Sequence, residues 1–242
     1  MASDSMSYTV DIKCLCQALG PTSDGNPLPH LMMNGHHMKI TFFFDDAAGM
    51  RVTSIPLSSP STCPSVCFEI TPTMHGFITR CRRFDQMTFK INRGALSLLV
   101  KSTYSALRYD FPNIKMVPDV SIDHTREDTV LQIPSADWLE IWKTIPNDED
   151  DARVTIAYGR NESAVTLAHS NRAWAAVIQP SQCPVAPPLL SFTCPVSAAK
   201  YSFSDCLSND SQSSLHFLSN TVLCWTSSNV SVYLAPFIAN VK

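Results

Sequence analysis

Hydrophobic and polar positions along the chain repeat one pattern: a short strand, a helix, and a strand-turn-strand hairpin. The pattern is clear over residues 68–102 (FEITPTMHGFITRCRRFDQMTFKINRGALSLLVKS) and 131–180, and it is fainter in two further stretches. Self-similarity of this kind favours stacked equivalent units over one irregular fold. We therefore predict an α+β protein of two similar domains, each built from two copies of a βαββ plan.

The first clear copy carries specific start and turn signals. Thr71 is a plausible N-cap with Pro72 at the first helical position, and apolar residues at 74, 77, 78 and 81 have helical spacing. This pattern predicts a helix that ends near Arg83. The segments MTFKI and ALSLLVK then flank residues 92–94 (Asn-Arg-Gly), which tolerate positive φ, so a hairpin should follow.

The second clear copy opens with the strand VLQI, and Ser135 after Pro134 should cap its helix. That helix runs through Trp138 and Trp142, and the acidic stretch 147–151 ends it. A hairpin (RVTIAY, SAVTLAH) and a further strand over 173–180 complete the copy.

The two faint copies lie at the ends of the chain. In the first, IKCLCQALG predicts a short helix closed by Gly20, PTSDGNPLP breaks any regular pattern, and residues 38–55 read as a hairpin. In the last, residues 198–207 fit a short helix, and SSLHFL, VLCWT and SVYLAPFI read as strands.

A long irregular segment separates the two halves. Residues 111–129 carry two prolines and mixed charge with neither a helical nor a strand period, as expected of an interdomain linker. The predicted organisation is therefore a first domain at 1–110, a connector at 111–129 and a second domain at 130–242.

Composition narrows the functional classes. A 242-residue chain with 45% hydrophobic residues can fill real cores, whereas 16% charged residues and a net charge of −3 give no global affinity for nucleic acid or membranes. No stretch approaches the roughly 18 apolar residues that span a bilayer, and the first residues lack a signal-peptide pattern. We expect a soluble intracellular protein with no membrane partner, whose nine cysteines are reduced thiols.

The sequence contains only weak signals for a catalytic site or a metal site. Cys14-x-Cys16 with His36 and His37 lacks the paired spacing of a zinc site, and no Gly-rich phosphate loop occurs. A cysteine nucleophile would need a histidine beside it, which the spacing does not show. The expectation is a protein without enzymatic activity, cofactor or metal.

One basic cluster stands out. Arg80, Arg82 and Arg83 fall on the predicted first-domain helix, with Lys90 and Arg93 nearby. Such a cluster can bind phosphates through charge alone, or it can be a solvated helix face; the residues leave both interpretations open.

Several segments together resemble one family, the DNA sliding clamps, most closely the proliferating cell nuclear antigen type. The linker followed by VLQIPSADWLEIWKTI resembles that family's interdomain connector and second-domain helix. The segment FITRCRRFDQMTFKI resembles the family's first-domain helix and the strand after it. The segment SVYLAPFI resembles the C-terminal ending of the family. The resemblance covers about residues 68–180 and 196–238, while the first 37 residues depart from it.

The resemblance implies a non-catalytic ring, in which helices line a hole around double-stranded DNA while polymerases and repair enzymes are tethered outside. It implies an intracellular location in the nucleus, of a host cell if the protein is viral. It adds second-domain and first-helix positions to the basic cluster, so that the DNA-binding candidates are Lys13, Arg80, Arg82, Arg83, Lys90, Arg93, Lys143 and Lys200.

The resemblance also implies two kinds of protein contact. A partner peptide would lie between the connector and the C-terminal strand, against Val120, Ile122, Tyr233, Ala235 and Pro236, although internal packing could also explain these apolar residues. Subunits would join by sheet extension at two edge segments, which supply Ser105, Leu107, Tyr109, Ala173, Ala175 and Val177.

Alternatives remain at two levels. Within the clamp class, the chain could be a replicative homotrimer subunit, a virus-encoded processivity factor or a subunit of a heterotrimeric DNA-damage checkpoint clamp. Outside it, the cysteine count and three Asn-x-Ser triplets at Asn161, Asn209 and Asn229 would suit a secreted β-rich adhesion module, and a reactive thiol would suit a cysteine-dependent enzyme.

Overall fold

The structure is a computed structural model of the chain. It describes residues 6–20, 28–44, 48–58, 63–102, 105–120, 127–146, 152–159, 164–171, 173–182, 190–204, 206, 210–218 and 222–236. The sequence-predicted acidic stretch 147–151 and the triplets at Asn161 and Asn209 lie outside these residues.

The chain forms two compact units. Unit 1 comprises Met1–Phe42 and Thr53–Ser121, and unit 2 comprises Phe43–Val52 and Ile122–Lys242. The elements of the first half are β1 (Met6–Asp11), α1 (Ile12–Leu19), β2 (His30–Met33), β3 (His37–Phe44), β4 (Gly49–Pro56), β5 (Val66–Glu69), α2 (Pro72–Arg80), β6 (Gln86–Asn92), β7 (Ala95–Lys101) and β8 (Ala106–Phe111).

The second half follows the same order. Its elements are β9 (Glu127–Pro134), α3 (Ser135–Thr144), β10 (Arg153–Tyr158), β11 (Val165–His169), β12 (Ala175–Ile178), β13 (Leu190–Pro195), α4 (Val196–Ser204), β14 (Gln212–Leu218), β15 (Val222–Thr226) and β16 (Val230–Leu234). Each of the four copies is therefore a strand, a helix and three strands, one strand more than the predicted βαββ plan. The short strand β2 was not predicted.

Copies within a unit exchange their first strands. In the first half the strand orders are β1-β6-β7-β8 and β5-β2-β3-β4, so β1 joins the sheet of the second copy and β5 joins the sheet of the first. The same exchange gives β12-β11-β10-β13 and β16-β15-β14-β9 in the second half. The exchanged strands pair antiparallel with their neighbours. A single copy therefore lacks a strand of its own sheet, which makes the pair of copies the folding unit.

A side chain caps the start of each unit 1 helix, and of these two caps only the one at Thr71 was predicted. The Asp11 side chain accepts a hydrogen bond from Cys14 N at 2.9 Å, and α1 closes at Gly20, whose φ is +60°. Thr71 Oγ1 accepts from Met74 N at 3.3 Å in front of Pro72. The buried residues of both helices belong to one core with those of β6 and β7, which includes Ile12, Leu15, Leu19, Met74, Phe77, Ile78, Met87, Phe89, Ile91, Leu96 and Leu98.

Helix α2 ends earlier than predicted. Its last residue is Arg80, and Cys81 N bonds back to the carbonyls of Phe77 and Ile78. Arg82 and Arg83 therefore lie in the turn after the helix rather than on it. The following hairpin agrees with its prediction, since Arg93 (φ +49°) and Gly94 (φ +81°) adopt positive φ between β6 and β7.

Helix α3 has a different cap from the one predicted. Pro134 occupies the N-cap position without a side-chain hydrogen bond, and Ser135 is the first helical residue with a buried hydroxyl that bonds to nothing in the described part of the chain. Burial fixes the helix instead. Trp138 and Trp142 pack edge to face with centroids 5.5 Å apart, and Trp142 stacks on Phe203 of α4 at 4.9 Å.

Helix α4 starts at Val196 and ends at Ser204, where residues 198–207 were predicted. Strand β16 ends at Leu234, before the end of the predicted strand segment. The eight cysteines among the described residues are free thiols, five of them buried. No described helix combines the length and the apolar character that a membrane crossing requires.

Candidate nucleic-acid interface

The exposed face of the unit 1 helices is basic. Lys13 on α1 and Arg80 on α2 are exposed, as are Arg82 and Arg83 in the turn that follows α2. Neither helix contains an Asp or Glu, and the acidic residues next to them are Asp11, which caps α1, and Asp85, which immediately precedes β6. None of the four cations makes an ion pair with a residue that the structure describes. Their charges are therefore available to an anion in solution.

The other two first-domain candidates lie elsewhere. Lys90 alternates along β6 with the buried residues Phe89 and Ile91, whose side chains face the helices. Because side chains alternate along a strand, Lys90 projects from the opposite face of the sheet. Arg93 occupies the β6–β7 turn. The predicted single cluster of five is thus wrong: three arginines lie together at the end of α2, and Lys90 is on the other side of the sheet.

A groove runs between the two helices of unit 1. The α1–α2 groove has a volume of about 1110 Å³ and is lined by Cys16, Gln17, Gly20, Pro72, Thr73, His75, Gly76, Thr79, Arg80 and Arg82. Of these, the sequence prediction included only Arg80 and Arg82. The spacing of Thr73, Gly76 and Arg80 places these three residues on one face of α2, but the groove itself depends on how α1 and α2 pack, which the sequence does not show.

Hydrogen bonds fix the groove walls. His75 Nε2 lies 3.0 Å from the carbonyl of Gly20 and so joins α2 to the end of α1. Thr79 Oγ1 donates to the His75 carbonyl at 2.7 Å. Burial raises the pKa of the Cys16 thiol, and nearby Arg82 opposes that change without cancelling it. The thiol is therefore neutral at pH 7, so it takes no negative charge into the groove.

The unit 2 helices have a different charge pattern. Lys143 Nζ pairs with Glu140 on the same helix at 2.8 Å, and Asp137 is also exposed on α3. Lys200 is half-buried, and its ammonium donates to the Ile145 carbonyl at 2.9 Å. The two lysines predicted to bind DNA in this unit are thus already bonded within the protein.

The partner-peptide candidates lie in both units. In unit 1, the connector pairs with β5: Met116 bridges Phe68, and Val117 N donates to the Cys67 carbonyl. Met116 and Val120 remain 51% and 40% exposed. Ile122 lies outside the described residues.

In unit 2, Tyr233 is buried in an apolar cluster with Met50, Leu218 and Cys224. Burial is the largest cause of its raised pKa. Ala235 and Pro236 are half-buried, and Ala235 N donates to the Ala48 carbonyl at 2.9 Å. The tyrosine therefore contributes to internal packing as well as to any peptide site.

The subunit-contact candidates lie on edge strands. Strand β8, with Leu107 and Tyr109, is the last strand of its sheet, and Ser105 immediately precedes it. Strand β12, with Ala175 and Val177, is the edge of another sheet, and Ala173 lies just before it. Leu107, Tyr109 and Val177 are 45%, 39% and 63% exposed. Exposed apolar edge strands favour pairing with another strand.

The described residues give little support to a metal site or to a reactive cysteine. No group of three or more Cys, His, Asp or Glu residues among those described could hold a metal ion. Burial raises the pKa of the Cys67 thiol to about 11, and it also raises the pKa of the Cys81 and Cys194 thiols. Such thiols are poor nucleophiles at neutral pH.

Comparisons with known proteins identify the fold. No family model and no curated protein matches the sequence. Among solved structures, the chain is similar to the DNA polymerase III subunit beta from Pseudomonas aeruginosa, with a TM-score of 0.66, 10% sequence identity, and coverage of 98% of this chain and 68% of that chain. The chain therefore has the sliding-clamp fold, and the predicted α+β architecture of that type is confirmed.

Proposed function

We propose that the chain is a subunit of a sliding-clamp-like oligomer that holds duplex DNA without sequence specificity and tethers DNA polymerase or other replication and repair proteins. The observation that carries this proposal is the exposed basic face of α1 and α2, two helices that contain no Asp or Glu, on a clamp fold. Lysine and arginine bind phosphates by charge and hydrogen bonding and read no base sequence, as a protein that moves along DNA requires.

The proposal assigns the protein a tethering role rather than catalysis, without a cofactor, in the nucleus of its cell. Exposed apolar residues on the connector, Met116 and Val120, suit a partner segment with aliphatic or aromatic side chains. The edge strands β8 and β12 suit contacts between subunits by strand pairing. Each subunit would then present its basic helices to DNA and its connector to a partner.

Duplex binding tests the proposal. Fluorescence anisotropy with a labelled duplex of about 30 base pairs and random sequence should show binding that weakens steeply between about 50 and 200 mM salt, because bound phosphates release counterions. The double variant Arg80→Glu/Arg83→Glu should bind more weakly and with a flatter salt dependence, the slope falling by about one unit for each phosphate that is no longer neutralised. Lys90→Glu is the matched control, since it reverses a charge on the opposite face of the sheet. A wild-type protein that binds no duplex at the lowest salt concentration would contradict the proposal.

The number and kind of subunits in the assembly distinguish a replicative or viral processivity factor from a checkpoint clamp. Light scattering of the purified chain, alone and with a candidate polymerase, measures whether it forms a homo-oligomer. A homotrimer would support a replicative or viral processivity factor, whereas a monomer that assembles only with two different chains would support a checkpoint clamp. Processive DNA synthesis by the polymerase, with and without the chain, then tests the tethering role directly.

A further inference from the structure

A shallow cleft lies on the face of the β6–β7 hairpin that is turned away from the helices of unit 1. This β6–β7 cleft has a volume of about 170 Å³ and is lined by Gln86, Thr88, Lys90, Leu99 and Lys101. These residues alternate along their strands with buried core residues, so their side chains share the opposite face of the sheet. Leu99 pairs with Thr88 at the centre, and the two lysines lie on either side of this pair. The cleft therefore combines an apolar floor with a cation at each end.

The acidic residues of this sheet are already bonded. Strands β1, β6, β7 and β8 contain two of them, Asp11 and Asp110. Asp11 caps α1 by accepting a hydrogen bond from Cys14 N at 2.9 Å. Asp110 accepts hydrogen bonds from Arg108 Nε, at 2.8 Å, and from the Ser97 hydroxyl. Both carboxylates therefore have partners other than the lysines of the cleft.

The two lysines of the cleft have no such partner. Among the described residues, neither Lys90 nor Lys101 takes part in an ion pair. Asp85, which is exposed immediately before β6, pairs with neither of them. The four-stranded sheet of unit 2, β12-β11-β10-β13, contains a single Asp, Glu, Lys or Arg residue, which is Arg153. A sheet of this fold therefore does not need exposed lysines, and the ends of the β6–β7 cleft complement carboxylates.

The spacing of the lysines matches an extended peptide. Lys90 pairs with Ser97 across the hairpin, and Lys101 lies four residues further along β7. At about 3.4 Å per residue, this offset is about 14 Å. In an extended peptide, side chains at i, i+2 and i+4 share one face, and the outer two are also about 14 Å apart. A peptide of the form acid-x-apolar-x-acid that lies along the strands therefore places a carboxylate on each lysine and an apolar side chain on Leu99.

We infer that the β6–β7 cleft binds an extended acidic segment of a partner protein. Lys90 and Lys101 each bind one carboxylate, and Leu99 contacts the apolar side chain between them. Nucleic acid fits less well, because two cations neutralise only about two phosphates and a phosphodiester chain has no apolar group for the floor of the cleft. Exposed ion pairs are individually weak, so this contact adds to another contact of the same partner. The inference goes beyond the proposed function and does not depend on DNA binding.

Two synthetic peptides of equal composition test the inference. Saturation-transfer difference NMR should show that GESLSEG, blocked at both termini, binds the full chain with a dissociation constant on the order of 0.1–1 mM at about 50 mM salt, as a few weak contacts give. The peptide GEESLSG has the same charge but adjacent acids, and it should bind at least about threefold more weakly. Equal binding of both peptides would show general charge attraction and would overturn the inference. So would no detectable binding of GESLSEG at about 1 mM.

Charge reversal at the cleft tests the two lysines separately. Lys90→Glu and Lys101→Glu should each weaken the binding of GESLSEG at least about fivefold, because a carboxylate then faces a carboxylate. Lys39→Glu is the matched control, since Lys39 is exposed on β3 and the substitution changes the net charge equally. It should leave the affinity within twofold of wild type, and thermal unfolding should show that all three variants are folded. A loss with Lys39→Glu equal to that at the cleft would overturn the inference.

A charge swap tests the contact at Lys90 directly. In GKSLSEG and GESLSKG, one acid of the peptide is replaced by lysine. One of these two peptides should bind the Lys90→Glu variant more tightly than GESLSEG does, and its identity gives the direction of the peptide along β6. If neither peptide binds that variant more tightly, Lys90 does not contact the peptide and the inference is overturned.

Competition with DNA separates this surface from the proposed DNA interface. An unlabelled duplex of about 30 base pairs should not displace GESLSEG from the wild-type protein, and Lys101→Glu should leave duplex affinity within twofold of wild type. Displacement of the peptide by the duplex would assign the cleft to nucleic acid and would overturn the inference. If the chain binds GESLSEG but no duplex, the proposed function fails and the inference stands.

Discussion

The ammonium of Lys200 donates a hydrogen bond to the backbone carbonyl of Ile145, 2.9 Å away, at the end of α3. The last carbonyls of a helix have no partner within it, and a cation near them is favoured by the helix dipole. Lys200 lies on α4, so this bond joins two neighbouring helices. A lysine predicted to bind DNA thus has a structural role that the sequence does not reveal.

Removing this ammonium should destabilise unit 2. We expect Lys200→Met to lower the free energy of unfolding by about 1 kcal/mol, the usual contribution of one hydrogen bond, and to leave duplex affinity unchanged. Urea unfolding and anisotropy measure the two quantities. Lys143→Met is the control, because it breaks only an exposed ion pair and should change stability by less than about 0.5 kcal/mol. Unchanged stability with weakened duplex binding would return Lys200 to the DNA interface.

Substitution by alanine should change the stability of the protein in opposite directions at Gly49 and at Gly76. A Cβ on Gly49 would lie 2.4 Å from Ser202 Oγ and 3.0 Å from the Ala198 carbonyl oxygen, closer than atoms normally pack. We expect Gly49→Ala to cost about 1–3 kcal/mol of stability, as overpacking does. Gly76→Ala should raise stability by about 0.5–1 kcal/mol. Chemical denaturation of the two variants and the wild type measures both changes in stability. Adding Ser202→Ala to Gly49→Ala should recover part of the stability, and no recovery would place the clash at the carbonyl instead.

The edge strands predict a defined effect on self-association. Leu107→Asp on β8 and Val177→Asp on β12 place a carboxylate where we expect another subunit's strand, so each should raise the dissociation constant at least tenfold, about 1.4 kcal/mol. Sedimentation velocity over a concentration series measures it. Met116→Asp serves as the control, because Met116 is similarly exposed but lies on the connector. Equal sedimentation of all four proteins would show that these strands do not join the subunits.

Ionisation of Tyr8 should lower stability at high pH. Tyr8 is buried with its hydroxyl donating to the Pro64 carbonyl, and burial, with a smaller effect of Cys63, raises its pKa to about 12. The unfolded tyrosine ionises near pH 10, so folding favours the neutral form. Its stabilising contribution is complete below about pH 10 and declines above it, by up to about 1.4 kcal/mol per pH unit. The stability difference between wild type and Tyr8→Phe, measured from about pH 8.5 to 11.5, should shrink as pH rises. A constant difference would contradict burial of this hydroxyl.

Local sequence signals predicted most of the fold. The Thr71-Pro72 start, the turn at Arg93-Gly94 and the Gly20 helix end are decided by neighbouring residues, so pattern and propensity suffice. Strand β2 is different: HLMM is four residues long, and its three apolar residues are all buried. Without alternation, only pairing with β3 and β5 makes it a strand, and a local pattern does not reveal those partners.

The candidate site was predictable only in part. Arg80 was identified because basic residues on a helix are visible in the sequence. The hydrogen bond of Lys200 could not be predicted, because its acceptor, Ile145, is 55 residues away. Lys90 was grouped with Arg80 by proximity in sequence, and the strand pleat separates them. Gly76 was passed over because an open groove depends on how two helices pack.

The cysteines offer a test that separates the clamp from a secreted adhesion module. All eight cysteines in the described part of the chain are free, and burial raises the pKa of the thiols of Cys67, Cys81 and Cys194. We expect about nine thiols per chain in denatured, unreduced protein, the full number in the sequence. In native protein at neutral pH the exposed Cys14 should react first and the buried thiols far more slowly, because a neutral, inaccessible thiol is a poor nucleophile. Ellman titration with and without denaturant measures both. A denatured count well below nine would indicate disulfides and an oxidising compartment, which would contradict a nuclear DNA-binding subunit.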